Sequence, residues 1–360
     1  MLSELINATL TQRPLNKKVF EGSTESDWQQ CYDMALAQGV LAMTFPAISL
    51  LPKESRPSFE LFAKWMTYTQ SITAQSQYKR QVTEKIGHWL ADDGLSTLIL
   101  KGFSLSVLYP SPNLREFCDI DIFSSENYDA VNACFAKYGV PVDSVDGHHA
   151  YLKVDGIPVE HHFAFHNTKV KHGLEGPEEE LQQYVAKDWK STSVSGIFFP
   201  NPLFTAMFVG WHAYEHFLQE KIQLRHVIDW ALSLHQLTSH EVEQLNKIKR
   251  NTGWGRFTDT LTAIAIHQLN LPTEWFPTTE VEVVESISTD QEKKVWDDIL
   301  YAPYTAKSKS SNLRRINIAK RILKNNWKFN TYSNINATQL LLMETKGHLK
   351  HKTKNSKRSA

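Results

Sequence analysis

The sequence predicts an α+β protein: a small mixed β-sheet core flanked by N-terminal and C-terminal helical regions. Three observations predict it. Residues 1 to about 90 place apolar side chains at helical spacing, residues 96–165 alternate short strand-like runs with helical patterns, and helical periodicity resumes after Gly176-Pro177. The segments read as 1–92 helical, 93–170 the sheet-bearing core, 171–345 helical, and 346–360 a basic, disordered tail with no apolar pattern.

Each element has a local reason. Trp28 to Leu51 is helical with breaks at Gly39 and Pro46, and Phe59 to Leu90 is a long run of good helix formers. Ser96 to Leu100 is a short apolar run suited to a buried strand. Lys101-Gly102 ends it, and Phe103 to Tyr109 makes a short helix stopped by Pro110 and Pro112. Asp119 to Phe123 alternates strictly, as a strand does. Ser125 can cap a helix from Glu126 to Tyr138, with Gly139 as its stop. Strands from His149 to Val154 and from Ile157 to Phe165 flank Asp155-Gly156, a hairpin signal. This β-α-β-α-β-β order predicts a mixed sheet with helices on one side. Pro202–Leu218, Lys221–Leu237, Ser239–Lys249 and Trp254–Leu269 then read as helices, with two or three more between Val281 and Leu342.

Composition narrows the class. The chain has 360 residues, 41% hydrophobic and 22% charged, which is enough apolar material to exclude wholesale disorder. Its formal charge of zero hides an asymmetry. From Thr305 onward there are 14 Lys/Arg and one acid, Glu344, leaving 25 basic and 38 acidic residues before it. Such a tail suits an anionic partner or a solvated terminus equally well. Cys31, Cys118 and Cys134 are scattered and odd in number, so no disulfide framework or cysteine zinc site is expected. No signal peptide or membrane-spanning run is expected either, since the longest apolar stretch, Val40 to Leu51, is short and contains Pro46. A cytoplasmic location follows as an expectation. The absence of a P-loop, a G-x-S-x-G elbow and a G-x-G-x-x-G turn argues against P-loop hydrolases, serine esterases and nicotinamide enzymes.

The chemistry-bearing residues centre on Asp119-Ile120-Asp121. Residues i and i+2 of a strand share a face, so the two carboxylates stand side by side while Ile120 and Ile122 face a core. Like charges so close repel unless a cation lies between them, and hard oxygen ligands suit Mg²⁺ or Mn²⁺. A D-x-D by itself equally describes two exposed acids. Glu160, in a second strand, supplies a third carboxylate for a two-metal site of phosphoryl transfer. His162 shares its face and is placed to contact a phosphate, a nucleophile or a carboxylate. Lys101-Gly102 opens a helix whose first N–H groups can hold phosphate oxygens.

The run LKGFSLSVLYPSPNLREFCDIDIF, followed by IPVEHHF, resembles the uncharacterised nucleotidyltransferase family of the DNA polymerase β-like superfamily. Its elements here are Leu100-Lys101-Gly102, Leu108-Tyr109-Pro110, Arg115, Asp119-Ile120-Asp121 and Glu160-His161-His162. Leu224-Arg225 and Asp229 match more weakly in the helical region. The resemblance implies a minimal nucleotidyltransferase core, with Asp119 and Asp121 as metal ligands and Glu160 completing the site or serving as base. It implies transfer of a nucleoside monophosphate from an NTP, ATP first among them, to an unknown acceptor (small molecule, protein or RNA), with loss of pyrophosphate. Lys101, Gly102, Ser104, Arg115 and His162 are the nucleotide- and phosphate-side candidates. One departure stands out. The superfamily's Gly-Ser pair is replaced by Lys101-Gly102-Phe103-Ser104, which favours, as the alternative, a non-catalytic nucleotide- or metal-binding regulatory protein.

Two other features compete. His212 and His216 lie at i and i+4 on one helix face, the spacing of helical zinc sites, although Glu215 is misplaced for H-E-x-x-H. A zinc-dependent hydrolase is the third reading, against a plain helix face with Trp211, Tyr214 and Phe217 partly buried. Arg225 and Asp229, also i and i+4, read as a helix-surface pair or as an arginine reaching the active site. Leu313 to Phe329 is basic and amphipathic, suited to packing on the body or to an RNA or anionic membrane surface.

Overall fold

The structure is a computed structural model describing residues 1–124, 127–145, 147–165, 177–302, 319–334, 336–339 and 341. The expected Ser125 cap, Gly176, most of the basic segment's first half and the 346–360 tail lie outside the described residues. In chain order the N-terminal helices are α1 (Leu2–Thr11), α2 (Glu25–Ala37), α3 (Leu41–Ser49) and α4 (Phe59–Asp92). The core follows as β1 (Thr97–Ile99), α5 (Phe103–Ser106), β2 (Ile120–Phe123), α6 (Tyr128–Lys137), β3 (Ser144–Val145), β4 (His149–Val154) and β5 (Ile157–His162). Then come α7 (Glu178–Val185), β6 (Lys190–Ser191), β7 (Ile197–Phe199), α8 (Pro202–Gln219), α9 (Leu224–Leu234), α10 (Ser239–Thr252), α11 (Gly255–His267), α12 (Thr278–Val284) and α13 (Thr289–Tyr301). No helix among the described residues is long and apolar enough to cross a membrane.

The strands form one mixed sheet in the order β3-β4-β5-β2-β1-β7-β6. β2 pairs antiparallel with β1 and parallel with β5, so Asp121 lies opposite Glu160 and Phe123 opposite His162. The hairpin at Asp155-Gly156 forms as expected, with both residues at positive φ (49° and 80°), which the tight twist of such a turn requires. Gly139 stops α6 at φ 77°.

The alternation of β2 decides which face meets which core. Ile120 and Ile122 pack with Val82, Ile86 and Leu90 of α4 and Val131 and Phe135 of α6. Phe123 points the other way, its ring 4.7 Å from Phe165, which in turn lies 5.1 Å from Phe204 of α8. The sheet is therefore covered on both faces, not on one as the element order predicts. The second cover comes from helices beyond residue 200, which β-α-β order cannot reveal.

Three further differences have local causes. Pro46 sits inside α3 instead of breaking it; in this nine-residue helix its carbonyl accepts from Ser49 Oγ (2.7 Å). The helix after Gly102 is one turn, ending at Ser106. The hairpin of β6 and β7 has no sequence expectation, because two- and three-residue strands are too short to display alternation.

That hairpin docks on α4 through glycine. A Cβ on Gly87 would lie 2.5 Å from the Ser195 carbonyl oxygen. Alanine normally gains about 1 kcal/mol over glycine inside a helix. Here the methyl meets backbone that cannot swing aside, so Gly87→Ala is expected to lose about 1–3 kcal/mol in urea denaturation. A midpoint equal to or above that of the unaltered chain would overturn this account of the docking.

Candidate active site

β1 delivers Lys101 and Gly102 to the sheet's end. Leu100 N donates to the Asp121 carbonyl (2.9 Å), extending the β1–β2 ladder by one bond. Gly102 then turns at φ 68°, where a side chain is strained, and a Cβ there would touch Phe117 at 3.0 Å. Glycine is thus required at the point where the chain leaves the sheet.

The parallel register of β2 and β5 assembles the charged cluster. Asp121 is fully buried. Its Oδ1 lies 3.1 Å from Lys101 Nζ and 3.1 Å from His162 Nε2, while its Oδ2 is buried with no hydrogen-bond partner. Glu160 Oε2 is 3.7 Å from His162 Nε2, and its Oε1 is 3.9 Å from His149 Nε2. Burial alone would raise the Glu160 carboxyl, but His162, Lys101 and His149 hold it far below its usual range. Burial alone would lower the Lys101 ammonium, yet Asp121, Asp119 and Glu160 together raise it. His162 is likewise raised by Asp121 and Glu160 against the pull of burial. Asp119, just before β2, is pushed up by burial and then by Asp121.

The residues present fit a divalent cation. Ligand atoms of Asp121, Glu160 and His162 all lie within 4.8 Å of one another, and the orphaned Asp121 Oδ2 is a buried oxygen that a cation would satisfy. Asp119 is not in that set. It lines an adjoining cleft of about 290 Å³, along with Lys101, Gly102, Phe117, Lys221 and Arg225.

The other candidates divide. Arg115 also borders the cleft, but its guanidinium is engaged. Nε and Nη2 donate to the two carboxylate oxygens of Asp229 (2.8 and 2.7 Å), and Nη1 donates to the Gly102 carbonyl (3.2 Å). Tyr109 completes the buried network by donating to Asp229 Oδ1 (2.7 Å). The Arg225–Asp229 surface pair therefore does not form. Asp229 turns inward to an arginine 114 residues away, and Arg225 donates to the Glu116 carbonyl (2.5 Å) at the cleft wall. Ser104 is buried, its Oγ without a hydrogen-bond partner, and it does not line the cleft.

His212 and His216 do reach the cleft, together with His226 of α9, a residue the sequence reading missed. The available signal was its place one residue after Leu224-Arg225. Gln223 N donates to His226 Nδ1 (3.0 Å), so the ring's hydrogen belongs on Nε2. Burial, then the nearby cations, pushes His216 down to about 4 and His226 to about 3; His212 is also lowered. These neutral imidazoles do not reproduce the helical zinc site. Among the described residues, the sets of three that bring ligand atoms within 4.8 Å of each other include neither His212 nor His216.

Comparison with known proteins gives a family for the chain and two weak structural likenesses. The sequence profile of the family described as uncharacterised nucleotidyltransferase matches residues 24–270. No curated protein matches the chain. Two solved structures are similar at low levels. The crystal structure of ANT(2″)-Ia in complex with adenylyl-2″-tobramycin shares 14% identity, covers 48% of this chain and 98% of its own, and gives a TM-score of 0.33. The solution structure of the antibiotic-resistance factor ANT(2″)-Ia shares 15% identity, covers 53% and 98%, and gives 0.34.

Proposed function

Because the chain belongs to the uncharacterised nucleotidyltransferase family, we propose that it moves a nucleoside monophosphate from an NTP to an acceptor hydroxyl, with a divalent ion, Mg²⁺ or Mn²⁺. The acceptor oxygen bonds to the α-phosphorus, the bond from that phosphorus to the bridging oxygen breaks, and pyrophosphate leaves with the electron pair. The observation that carries this reading is the buried Asp121 beside Glu160, with one oxygen unpartnered and Lys101, its ion-pair partner, lining a cleft.

Asp121, Glu160 and His162 are the residues whose ligand atoms lie together and that would hold the ion, with Asp119 at the cleft beside them. When bound, such an ion stabilises charge on the attacking and leaving oxygens. Glu160 is engaged by His149 and His162, so Asp119, the acid that reaches the cleft, is the carboxylate placed to take the acceptor's proton. Lys101, Gly102 and Arg225 line the cleft and would meet the phosphates there. Arg115 supports them indirectly by holding the Gly102 carbonyl. ATP is the first nucleotide to try, and the acceptor remains a small molecule, a protein or an RNA end.

A second reading, a binder without turnover, is favoured by one observation: Lys101 already neutralises Asp121 Oδ1, as a bound cation would. Thermal unfolding with each NTP, with and without Mg²⁺ or Mn²⁺, tests both. A ligand at 100 times its dissociation constant adds about 2.7 kcal/mol. We expect a metal-dependent rise with one NTP, and pyrophosphate release once an acceptor is supplied. A rise without release across the acceptor classes selects the binder; no rise with any metal–NTP pair removes both readings.

A further inference from the structure

A second group of side chains meets the acid site from its far side. β4 and β5 pair antiparallel with His149 opposite His162. His148 precedes β4, and successive residues within a strand would face opposite ways. Here the backbone is fixed outside that alternation, because the His148 carbonyl accepts from both Phe163 N (3.0 Å) and Ala164 N (3.2 Å). The result is a triangle of imidazoles. Ring centroids lie 4.3 Å apart for His148–His149, 5.2 Å for His149–His162 and 5.5 Å for His148–His162.

We infer that His148, His149 and His162 form a nitrogen-donor site for a borderline divalent transition-metal ion, with Zn²⁺ as the type case. One ligand nitrogen from each lies within 4.8 Å of the others. Bonds of about 2.0–2.1 Å in a tetrahedral arrangement put nitrogens about 3.4 Å apart, so small ring rotations close the set. His162 Nδ1 faces the Ala164 carbonyl at 3.3 Å, the outer contact that orients a ligating imidazole and leaves Nε2 for the ion. Glu160 Oε1, 3.9 Å from His149 Nε2, stands ready as a fourth ligand or an outer partner. Three imidazoles suit Zn²⁺, Co²⁺ or Ni²⁺, whereas Mg²⁺ keeps to oxygen and to its water.

The site has a built-in competition. His162 Nε2 also contacts Asp121 Oδ1. An ion on the three histidines draws that nitrogen away, so Zn²⁺ loading and the His162–Asp121 contact exclude each other. The inference shares His162 with the proposed nucleotidyl site but does not depend on turnover there.

The test uses the full chain without nucleotide. Equilibrium dialysis against Zn²⁺, and titration with Co²⁺ followed by its visible ligand-field absorption, should show one bound ion. His148→Gln, at the partly exposed member, should weaken Co²⁺ at least ten-fold while leaving the Mg²⁺–NTP unfolding shift in place. His149→Gln should do the same to Co²⁺ if it folds. Asp121→Asn should keep the Co²⁺ absorption. Absence of stoichiometric Zn²⁺ or Co²⁺ overturns the inference. So does Co²⁺ binding that survives His148→Gln but is lost in Asp121→Asn, because the ion then belongs to the acids. Loss of the Mg²⁺–NTP shift alone would count against the nucleotidyl reading and leave this site standing.

Discussion

Asp121→Asn is expected to slow pyrophosphate release by at least about 10³-fold, equivalent to about 4 kcal/mol of transition-state stabilisation. The substitution keeps the shape of the side chain and removes its charge. Asp121 is the buried centre of the cluster, bonded on one oxygen and bare on the other. An amide cannot replace a carboxylate as the anionic ligand, and its NH₂ would point a donor at Lys101, at His162 or at the cation's place. Lys101 keeps Asp119 and Glu160 as counter-charges, so the far-UV circular dichroism should be unchanged. Release within three-fold of the unaltered chain, measured with the NTP that shifts unfolding, would remove Asp121 from the mechanism.

Asp229→Asn is expected to cost about 3–5 kcal/mol of stability, read from urea denaturation. The reason is distinct from catalysis. Arg115 and Asp229 are both buried, and the arginine's bidentate grip holds the Asp229 carboxyl below its usual range despite that burial. The amide leaves an uncompensated guanidinium in the interior and gives up one of its acceptor oxygens. Replacing both partners with apolar residues, Arg115→Met with Asp229→Leu, removes the stranded charge and should recover more than half of the loss. The Tyr109 hydroxyl, left without its acceptor, retains a remaining cost of about 1–3 kcal/mol. A loss under 1 kcal/mol in the single variant would show that the pair contributes little. A double variant no better than the single would show that the damage is packing, not charge.

The sequence made the central strand legible and its partners much less so. Asp119 to Phe123 alternates so strictly that the division between acids and core could be read directly, and the two isoleucines face a core as expected, one that the structure forms with α4 and α6. Glu160 and His162 were readable as one face of a strand. Their alignment with Asp121 was not, because parallel register depends on a crossover with no local mark. The Arg225–Asp229 spacing misled for a related reason: helical spacing shows which side chains can meet, not whether a distant arginine offers a better-buried partner. Arg115 stood out as part of a motif, yet its role as a clamp depends on α9. His148 and His149 gave no signal, since adjacent residues in a strand are expected to diverge.

The pairing of β1 with β7 sets a kinetic requirement on the chain. Thr97 meets Ile197 across 100 residues, and β7 supplies the only cover for that edge of β1 among the described strands. Contacts of such long sequence separation form late, because loop closure must precede any gain from pairing. During synthesis the edge beside the Lys101 turn therefore stays open until the residues after Gly196 emerge. For that interval β1 is a strand with unpaired amides, the kind of surface on which nascent chains associate. The close fit of Gly87 against Ser195 can be made only once the β6–β7 hairpin has arrived, so this helix–hairpin contact belongs to the end of the exposure and not to its start.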